Sequence, residues 1–346
     1  MPVKDILFGL SAAFGPAGAE DAAAKLAAEL LSDFAKTRID HMGNVIAEMG
    51  DLSSENHIML EAHIDEIGLV VTYIDDEGFV KADKCGGADR RVLSGAEVWV
   101  LGKKRLPGVV CCMPPHLIKP EERNNLPDWD SIYVDVGFSA EKARELVPPG
   151  SRILPRAKNS RLLGGRICGK ALDNRAGVAS LIRCVELLSA DDNSLFCRVT
   201  VLLSSGEEVA GPGAGCAAFS VAPSKAVVVD AGYGDQPGVD KDKSGKLGKG
   251  PMIAAYPVLD HEITRELISI ANENSIPWQH DIGGGKTGTS ADYIAAAGSG
   301  VRCGLISIPL RNMHTPAEMV DLADVEDTAA LIKNYIIENG KLKIEN

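Results

Sequence analysis

The chain has 346 residues, 45% apolar and 24% charged, with 36 glycines and only 5% aromatics. This excludes global disorder and points to about two domains with an aliphatic core. A formal net charge of −12 opposes phosphate backbones, so no nucleic-acid partner is expected. No apolar run approaches the ~20 residues that span a bilayer, so no membrane segment is expected either.

Residues 3–36 read as helices interrupted by Gly15-Pro16-Ala17-Gly18, with Leu and Ala at helical spacing on either side. They do not read as a signal peptide, because Asp5 interrupts the basic start and Gly15-Pro16 follows too soon. Residues 57–65, HIMLEAHID, read as a buried strand that delivers polar side chains at its C-terminal end. From 68 to 161 short alternating strands are broken by Gly, Pro and Asp turns, the texture of a small β-barrel or sandwich, with residues 114–130 as a Pro-rich polar loop. Beyond 162, expected helices (174–189, 211–221, 260–274, 290–298, 324–339) alternate with expected strands (198–205, 225–231, 301–309). Such alternation implies a parallel or mixed sheet covered by helices. The expected organisation is one α/β domain made of residues 1–67 and 162–346, interrupted by a β-rich insert, 68–161. The eight cysteines include no C-x-x-C pair, and Cys184, Cys197 and Cys216 lie in apolar stretches; this reads as reduced thiols and a cytoplasmic location.

Two motif-like strings carry no chemistry. GGGKTGTS (283–290) lacks the first glycine of a phosphate-binding loop, since His280 stands there. HEITR (261–265) ends in Arg265 where a zinc-binding helix needs histidine, and no G-x-S-x-G elbow occurs.

A different set of residues shares one design. His63 and Asp65 end the strand 57–65, Asp173 opens the helix after GKAL, Glu207 and Glu208 follow the strand 198–205, Asp230 ends the next strand, and His314 follows the last. Ligands of open α/β sheets collect beyond the carboxyl ends of strands. Taken singly, Asp173 reads as a helix N-cap, His63 as a satisfied core histidine and Glu207-Glu208 as a solvated pair. Together, two imidazoles and several carboxylates suit two divalent ions sharing one carboxylate, with zinc, cobalt or manganese all compatible. Asp65, two residues beyond His63, projects to the same side and can orient its imidazole. Glu207 and Glu208 cannot both face one metal from an extended chain, so one ligand and one general base is the economical division.

The strings H-I-D-E-I-G (63–68), G-K-A-L-D-N-R-A-G (169–177), S-G-E-E-V-A-G-P-G-A (205–214), V-D-A-G-Y-G-D-Q-P-G (229–238), S-I-P-L-R-N-M-H-T-P (307–316) and V-D-L-A-D-V-E (320–326) resemble the metallopeptidases of family 42, with V-D-V-G-F-S-A-E-K-A (134–143) fitting too. These are cytoplasmic aminopeptidases labelled glutamyl, leucyl, lysyl or deblocking, with some cellulase-M-like endoglucanases. The resemblance implies a zinc-exopeptidase-like mixed sheet flanked by helices and interrupted by a β-barrel-like dimerisation domain. It implies two divalent ions per subunit, zinc first and cobalt or manganese as alternatives. His63, Asp173 and Asp230 would bind one ion, and Asp173, Glu208 and His314 the other. Glu207 would be the general base and Asp65 the support of His63. The implied activity is release of N-terminal residues from oligopeptides through a metal-activated water, in a homo-oligomer, either a dimer or a dodecamer of dimers. Another di-metal hydrolase on the same scaffold (a carboxypeptidase, an amidohydrolase or an endoglucanase-labelled member) and a non-catalytic assembly protein are the alternatives. The chain departs from the family wording at Asn174, where a second Asp is usual, at Ser290, where G-T-D-A is usual, and after Asp230. Arg311 and Lys286 read as substrate or oxyanion contacts or, preferably, as structural charges.

Overall fold

The computed structural model describes residues 1–114, 116–122, 125–191 and 195–340. Helix α1 (Val3–Ala12) buries Val3, Ile6, Leu7 and Leu10, the single stripe of an amphipathic helix. Helix α2 (Asp21–Ser32) buries Ala23, Ala24, Ala27 and Leu31. It ends four residues before the expected limit of helix, and the chain turns instead into a hairpin, β1 (Lys36–Ile39) and β2 (Val45–Gly50). The turn is set by Asp40, whose carboxylate accepts the backbone N–H groups of Met42 and Asn44. Strand β1 is exposed at three of its four positions, so no alternation of apolar residues announces it. Strand β3 (His57–His63) is buried at every position, as a central parallel strand covered on both faces must be.

The insert follows. Strands β4 (Gly68–Ile74), β5 (Val80–Cys85), β6 (Glu97–Leu101), β7 (Arg105–Val110), β8 (Tyr133–Asp135) and β9 (Arg152–Pro155) close into a barrel in the order β4-β5-β8-β7-β6-β9, with α3 (Ala140–Leu146) before the last strand. In β7 the residues Leu106, Gly108 and Val110 are buried and Arg105, Pro107 and Val109 exposed, the period of two that fills a small barrel. The barrel has its own core of Val71, Val80, Val98, Val100, Val134 and Ile153, among others.

The rest of the chain completes the larger unit: β10 (Ser160–Arg161), β11 (Arg166–Gly169), α4 (Leu172–Ser189), β12 (Arg198–Ser204), α5 (Pro212–Val221), β13 (Lys225–Tyr233), β14 (Met252–Ala255), α6 (His261–Glu273), β15 (Gln279–Ile282), α7 (Ser290–Ala295), β16 (Arg302–Leu310), β17 (Glu318–Asp321) and α8 (Leu322–Asn339). The large sheet has eight strands in the order β1-β2-β12-β3-β13-β16-β14-β15. Its four central strands, β12, β3, β13 and β16, are parallel, while β2 and β14 pair antiparallel with them on either side. Helices α1, α2, α4, α6 and α8 share one buried cluster with the sheet, and α5 and α7 share the cluster on the opposite face. The fold is therefore the mixed, helix-flanked sheet interrupted by a small barrel that the sequence implies. The short strands β14, β15 and β17, of four residues each, escaped that reading.

Where the chain leaves for the barrel and where it returns, two buried charges meet. Lys170 donates to both carboxylate oxygens of Glu66, at 2.7 and 2.8 Å, and to the carbonyl of Ala13 at 3.2 Å. Glu66 also accepts the N–H of Gly15 at 3.0 Å, and the fully buried Arg175 lies 3.9 Å away. Glu66→Gln leaves Lys170 and Arg175 without their counter-charge. We expect it to destabilise the folded chain by about 3–5 kcal/mol, read as a lowered denaturant midpoint; a loss under about 1 kcal/mol, the scale of an exposed pair, would show that this junction does not depend on the pair.

Candidate metal centre

Because β12, β3, β13 and β16 run parallel, their carboxyl ends lie along one edge of the sheet. Ser204 of β12 is the register partner of His63, and Asp230 is the partner of Ser307. His63 therefore ends one strand, Glu207 and Glu208 follow the next, Asp230 stands on the third, and His314 follows the fourth. Asp173 arrives from the start of α4. Its side chain is turned away from the helix: the hydrogen-bond partner of its carboxylate is the His63 imidazole, not a backbone N–H of the first turn.

Asp173 is the hub. Its Oδ1 lies 3.1 Å from His63 Nε2 and its Oδ2 lies 3.5 Å from His314 Nε2. His63 Nε2 is also 3.5 Å from Asp230 Oδ1 and 4.0 Å from Glu207 Oε2, and His314 Nε2 is 3.5 Å from Glu208 Oε2. His63, Asp173 and Glu208 each offer a donor atom, all within 4.8 Å of one another. These side chains line a cleft of about 860 Å³ that extends along the sheet edge.

The positions of these groups are fixed by the residues behind them. Glu207 and Glu208 lie in a single 3-10 turn (Glu207–Val209) entered through Gly206 at φ 71°, not on the extended chain expected from the sequence. The carboxylate of Asp65, fully buried, accepts the N–H of Glu207 at 3.0 Å and of Glu208 at 3.1 Å. Asp65 Oδ1 is 3.4 Å from His63 Nδ1, but that nitrogen makes no hydrogen bond, so the firm bonds of Asp65 go to the turn. Asn174 replaces a carboxylate with an amide that works in both directions. Its Nδ2 donates to the carbonyl of Val229, beside Asp230, and its Oδ1 accepts the N–H of Gly177. An aspartate there could accept the second bond but, ionised, could not donate the first.

Two supporting groups gave no signal in the sequence. Glu318, buried, accepts the N–H of Asp173 at 3.0 Å and the N–H of His314 at 2.8 Å, so one side chain holds both residues in place. The His314 backbone lies at φ 62°, a left-handed position that this bond steadies. The second is backbone: His314 Nδ1 donates to the carbonyl of Gly87 at 3.1 Å, and Gly87 belongs to the insert. A carboxylate four residues past a histidine reads as surface charge, and a Gly86-Gly87 pair reads as a turn.

The charge balance calls for cations. Burial drives Glu207 up to about 7, with Asp230, Asp173 and Asp65 adding to the rise and His63 opposing it. Burial, then the nearby Asp173, holds Glu208 well above the usual carboxylate range, and burial raises Asp230 too. For Asp173 burial works the same way, yet hydrogen bonds from His314 and His63 hold it low. His63 resists burial and is raised by Asp173 and Asp230, and His314 is raised chiefly by Asp173. Among the described residues, Asp173, Glu207, Glu208 and Asp230 form ion pairs only with these two imidazoles. A buried surplus of negative donors around two imidazoles fits divalent cations, which displace the shared protons.

Of the other sequence features, Arg311 is a structural charge, donating through Nε to the carbonyl of Asp235 and through Nη2 to its carboxylate, each at 2.5 Å. Lys286 is exposed on the cleft wall. In the loop that resembles a phosphate cradle, the N–H groups of Thr287 and Gly288 are taken by Asp292. The eight cysteines are free, and among the described residues no helix is long and apolar enough to cross a membrane.

A parallel sheet edge carrying two imidazoles and a surplus of buried carboxylates has the donors of a metal centre. Residues 43–331 match the family described as M42 glutamyl aminopeptidase. The chain is 32% identical over 319 residues to a lysyl aminopeptidase of Pyrococcus furiosus, covering 90% of each. Its fold is similar to a TET aminopeptidase from a marine-sediment Thaumarchaeota archaeon, with TM-score 0.92, 28% identity, and 99% and 97% of the two chains covered. It is also similar to the TET1 peptidase of Pyrococcus horikoshii, which can assemble into a tetrahedron or a large octahedral shell, with TM-score 0.86, 32% identity, and 96% and 99% covered. The chain belongs to the M42 peptidase family and is a metallo-aminopeptidase, as its motifs imply.

The contact between Gly87 and His314 is testable. A Cβ at Gly87 would lie 2.3 Å from His314 Nδ1, a distance that real atoms do not adopt, so Gly87→Ala must displace the ring. We expect about a 10–100-fold loss of affinity for one bound metal, the usual effect of removing a ligand's supporting partner, with the other ion retained. Metal titration followed by elemental analysis reads both, and unchanged affinity at both positions would show that the contact does not orient His314.

Proposed function

We propose that this chain releases N-terminal residues from oligopeptides using two divalent ions that share Asp173. The observation that carries the reading is the placing of the two Asp173 oxygens, one against each imidazole, at 3.1 and 3.5 Å. His63, Asp173 and Asp230 would hold one ion and Asp173, Glu208 and His314 the other. Zinc is the first expectation, and cobalt and manganese are compatible with the same donors. When bound, the ions lower the pKa of a water and polarise a carbonyl oxygen.

The chain's own residues do the rest. Glu207 faces the same cleft, with its Oε2 4.0 Å from His63 Nε2. It accepts a proton from the attacking water and returns it to the leaving amine, as general base and then general acid. Asp65 keeps Glu207 and Glu208 in one turn, so that their side chains hold different stations. The acidic end of the cleft receives the substrate's free α-amine, which makes the enzyme an exopeptidase. Names among the relatives include both glutamyl and lysyl aminopeptidases and do not choose between them.

The catalytic unit is formed by residues 1–67 and 162–346 and the dimerisation unit by 68–161, a division supported by the barrel strands beginning at Gly68 and ending at Pro155. The assembly of the Pyrococcus horikoshii relative supports a homo-oligomer, dimer or dodecamer of dimers, and the free cysteines support a cytoplasmic location.

Two measurements test this reading. Elemental analysis should find two ions per chain, and a chelator should abolish hydrolysis of aminoacyl chromogenic substrates until metal is restored; full activity with a single ion would refute the paired centre. Glu207→Gln should keep both ions and lose at least about 10²-fold in kcat, the low end of general-base catalysis, whereas Glu208→Gln should lose one ion and regain part of its rate in excess metal. The opposite pattern would exchange the two roles, and near-normal turnover of Glu207→Gln would remove the base.

A further inference from the structure

The cleft continues beyond the metal centre to a carboxylate that no step above uses. Asp281, on β15, accepts the Tyr256 hydroxyl at 2.9 Å on Oδ1 and the Ser307 hydroxyl at 2.9 Å on Oδ2. Ser307 is the register partner of Asp230 on the adjacent strand, and only β14 separates its strand from β15. Asp281 therefore lies across the sheet from the His63, Asp173 and Asp230 cluster, along the wall of the same cleft. Between them β14 carries Ala254, the register partner of Asp281, and Met252, the register partner of Ser307. Met252 and Leu305 line the cleft as well and give it an apolar floor.

Asp281 is held but not neutralised. A carboxylate offers about four lone-pair sites, and the two hydroxyls occupy one on each oxygen. Burial and the adjoining Asp281 push Tyr256 up to about 12, so the phenol remains a donor at neutral pH. Among the described residues no lysine or arginine forms an ion pair with Asp281. The other acid on this wall, Asp292, is consumed by the Thr287 and Gly288 bonds and the Thr287 hydroxyl. The two lysines of the cleft, Lys243 and Lys286, are exposed at its rim, and Lys243 lies 3.4 Å from Asp240. Long exposed lysines lose rotamer freedom on being fixed, whereas Asp281 is already fixed by two partners.

We propose that Asp281 selects the side chain of the substrate's N-terminal residue, and that the side chain it selects is a cation, lysine or arginine. This rests on the aminopeptidase reading above. With the α-amine at the acidic cluster, the methylene stem of such a residue lies over Met252 and Leu305. Its head reaches the open lone pairs of Asp281, the division of apolar stem and charged tip that these side chains favour. A glutamyl side chain on the same path meets Asp281 with like charge and is rejected.

The test is the kcat/KM of the metal-loaded enzyme on aminoacyl p-nitroanilides of Lys, Arg, Leu and Glu. The wild type should favour Lys and Arg over Leu and Glu by at least about tenfold. Asp281→Asn should lower the Lys-to-Leu ratio by about 10–100-fold, the worth of a hydrogen bond to a charged group, and Asp281→Glu should keep that ratio on the side of lysine. A ratio is read from active molecules only, so partial misfolding of a variant does not imitate the effect. A wild type that favours Leu or Glu overturns the proposal, and so does an Asp281→Asn variant that loses equally on all four substrates. Absence of turnover on all four by enzyme carrying both ions would overturn the aminopeptidase mechanism along with it, an outcome distinct from cleavage with another preference.

Discussion

The structure depends on a group of like charges that would not stay together unaided. Asp65, Asp173, Glu207, Glu208 and Asp230 are drawn to one sheet edge, most of them buried, and among the described residues the ion pairs they form are with two imidazoles. In a low-dielectric setting such crowding is unfavourable, and Glu207, Glu208 and Asp230 respond by holding on to protons. The fold resists dispersal through rigidity: four parallel strands, buried on both faces, set the spacing of the groups before any ligand arrives. Binding free energy is then not spent on ordering the chain, which is the advantage of a preorganised centre.

Rigidity at this edge comes from buried polar groups that each tie two pieces of the site together. Asp65 joins the end of β3 to the Glu207-Glu208 turn. Glu318 joins Asp173 to His314. Asn174 joins the start of α4 to β13 beside Asp230. In each case the buried acceptor or donor satisfies backbone groups that the irregular chain at a strand end leaves unpaired. Irregular backbone is what lets side chains from four strands turn inward, and these three residues are what make it tolerable.

The large-scale design was legible in the sequence, and so were the acids and histidines that the fold gathers at the sheet edge. Strong signals were long or fully apolar: β3, β12 and β16 are buried throughout or at all but one position, and α4 and α8 run eighteen residues each. The hairpin of β1 and β2 and the short β14, β15 and β17 are too brief or too polar to show a period. The chemistry-bearing residues were legible because each sits at the end of an apolar run, where a lone acid or histidine stands out. Glu318 was hidden for the converse reason: it lies among residues of mixed character, and its importance comes from two backbone N–H groups that no sequence pattern displays. Asp281 is similar, since its partners Tyr256 and Ser307 are distant in sequence and meet it only across the sheet. The bend that makes Glu207 and Glu208 a turn rather than strand residues lies in a left-handed Gly206, visible as a glycine but silent about its φ.

The hydrogen bond from His314 to the Gly87 carbonyl joins the centre to a unit with its own core. It uses only main-chain atoms of the barrel and the absence of a side chain there. The barrel's amino-acid sequence is consequently almost free to diverge around it: surface residues, loop lengths and any face used to meet another subunit can be rewritten without altering the group presented to the histidine. Selection on the contact is selection on the path of the backbone and on one missing methyl. A lineage could in this way change how its subunits associate while inheriting an untouched centre, since the histidine's support is written in the one part of the chain that all sequences share.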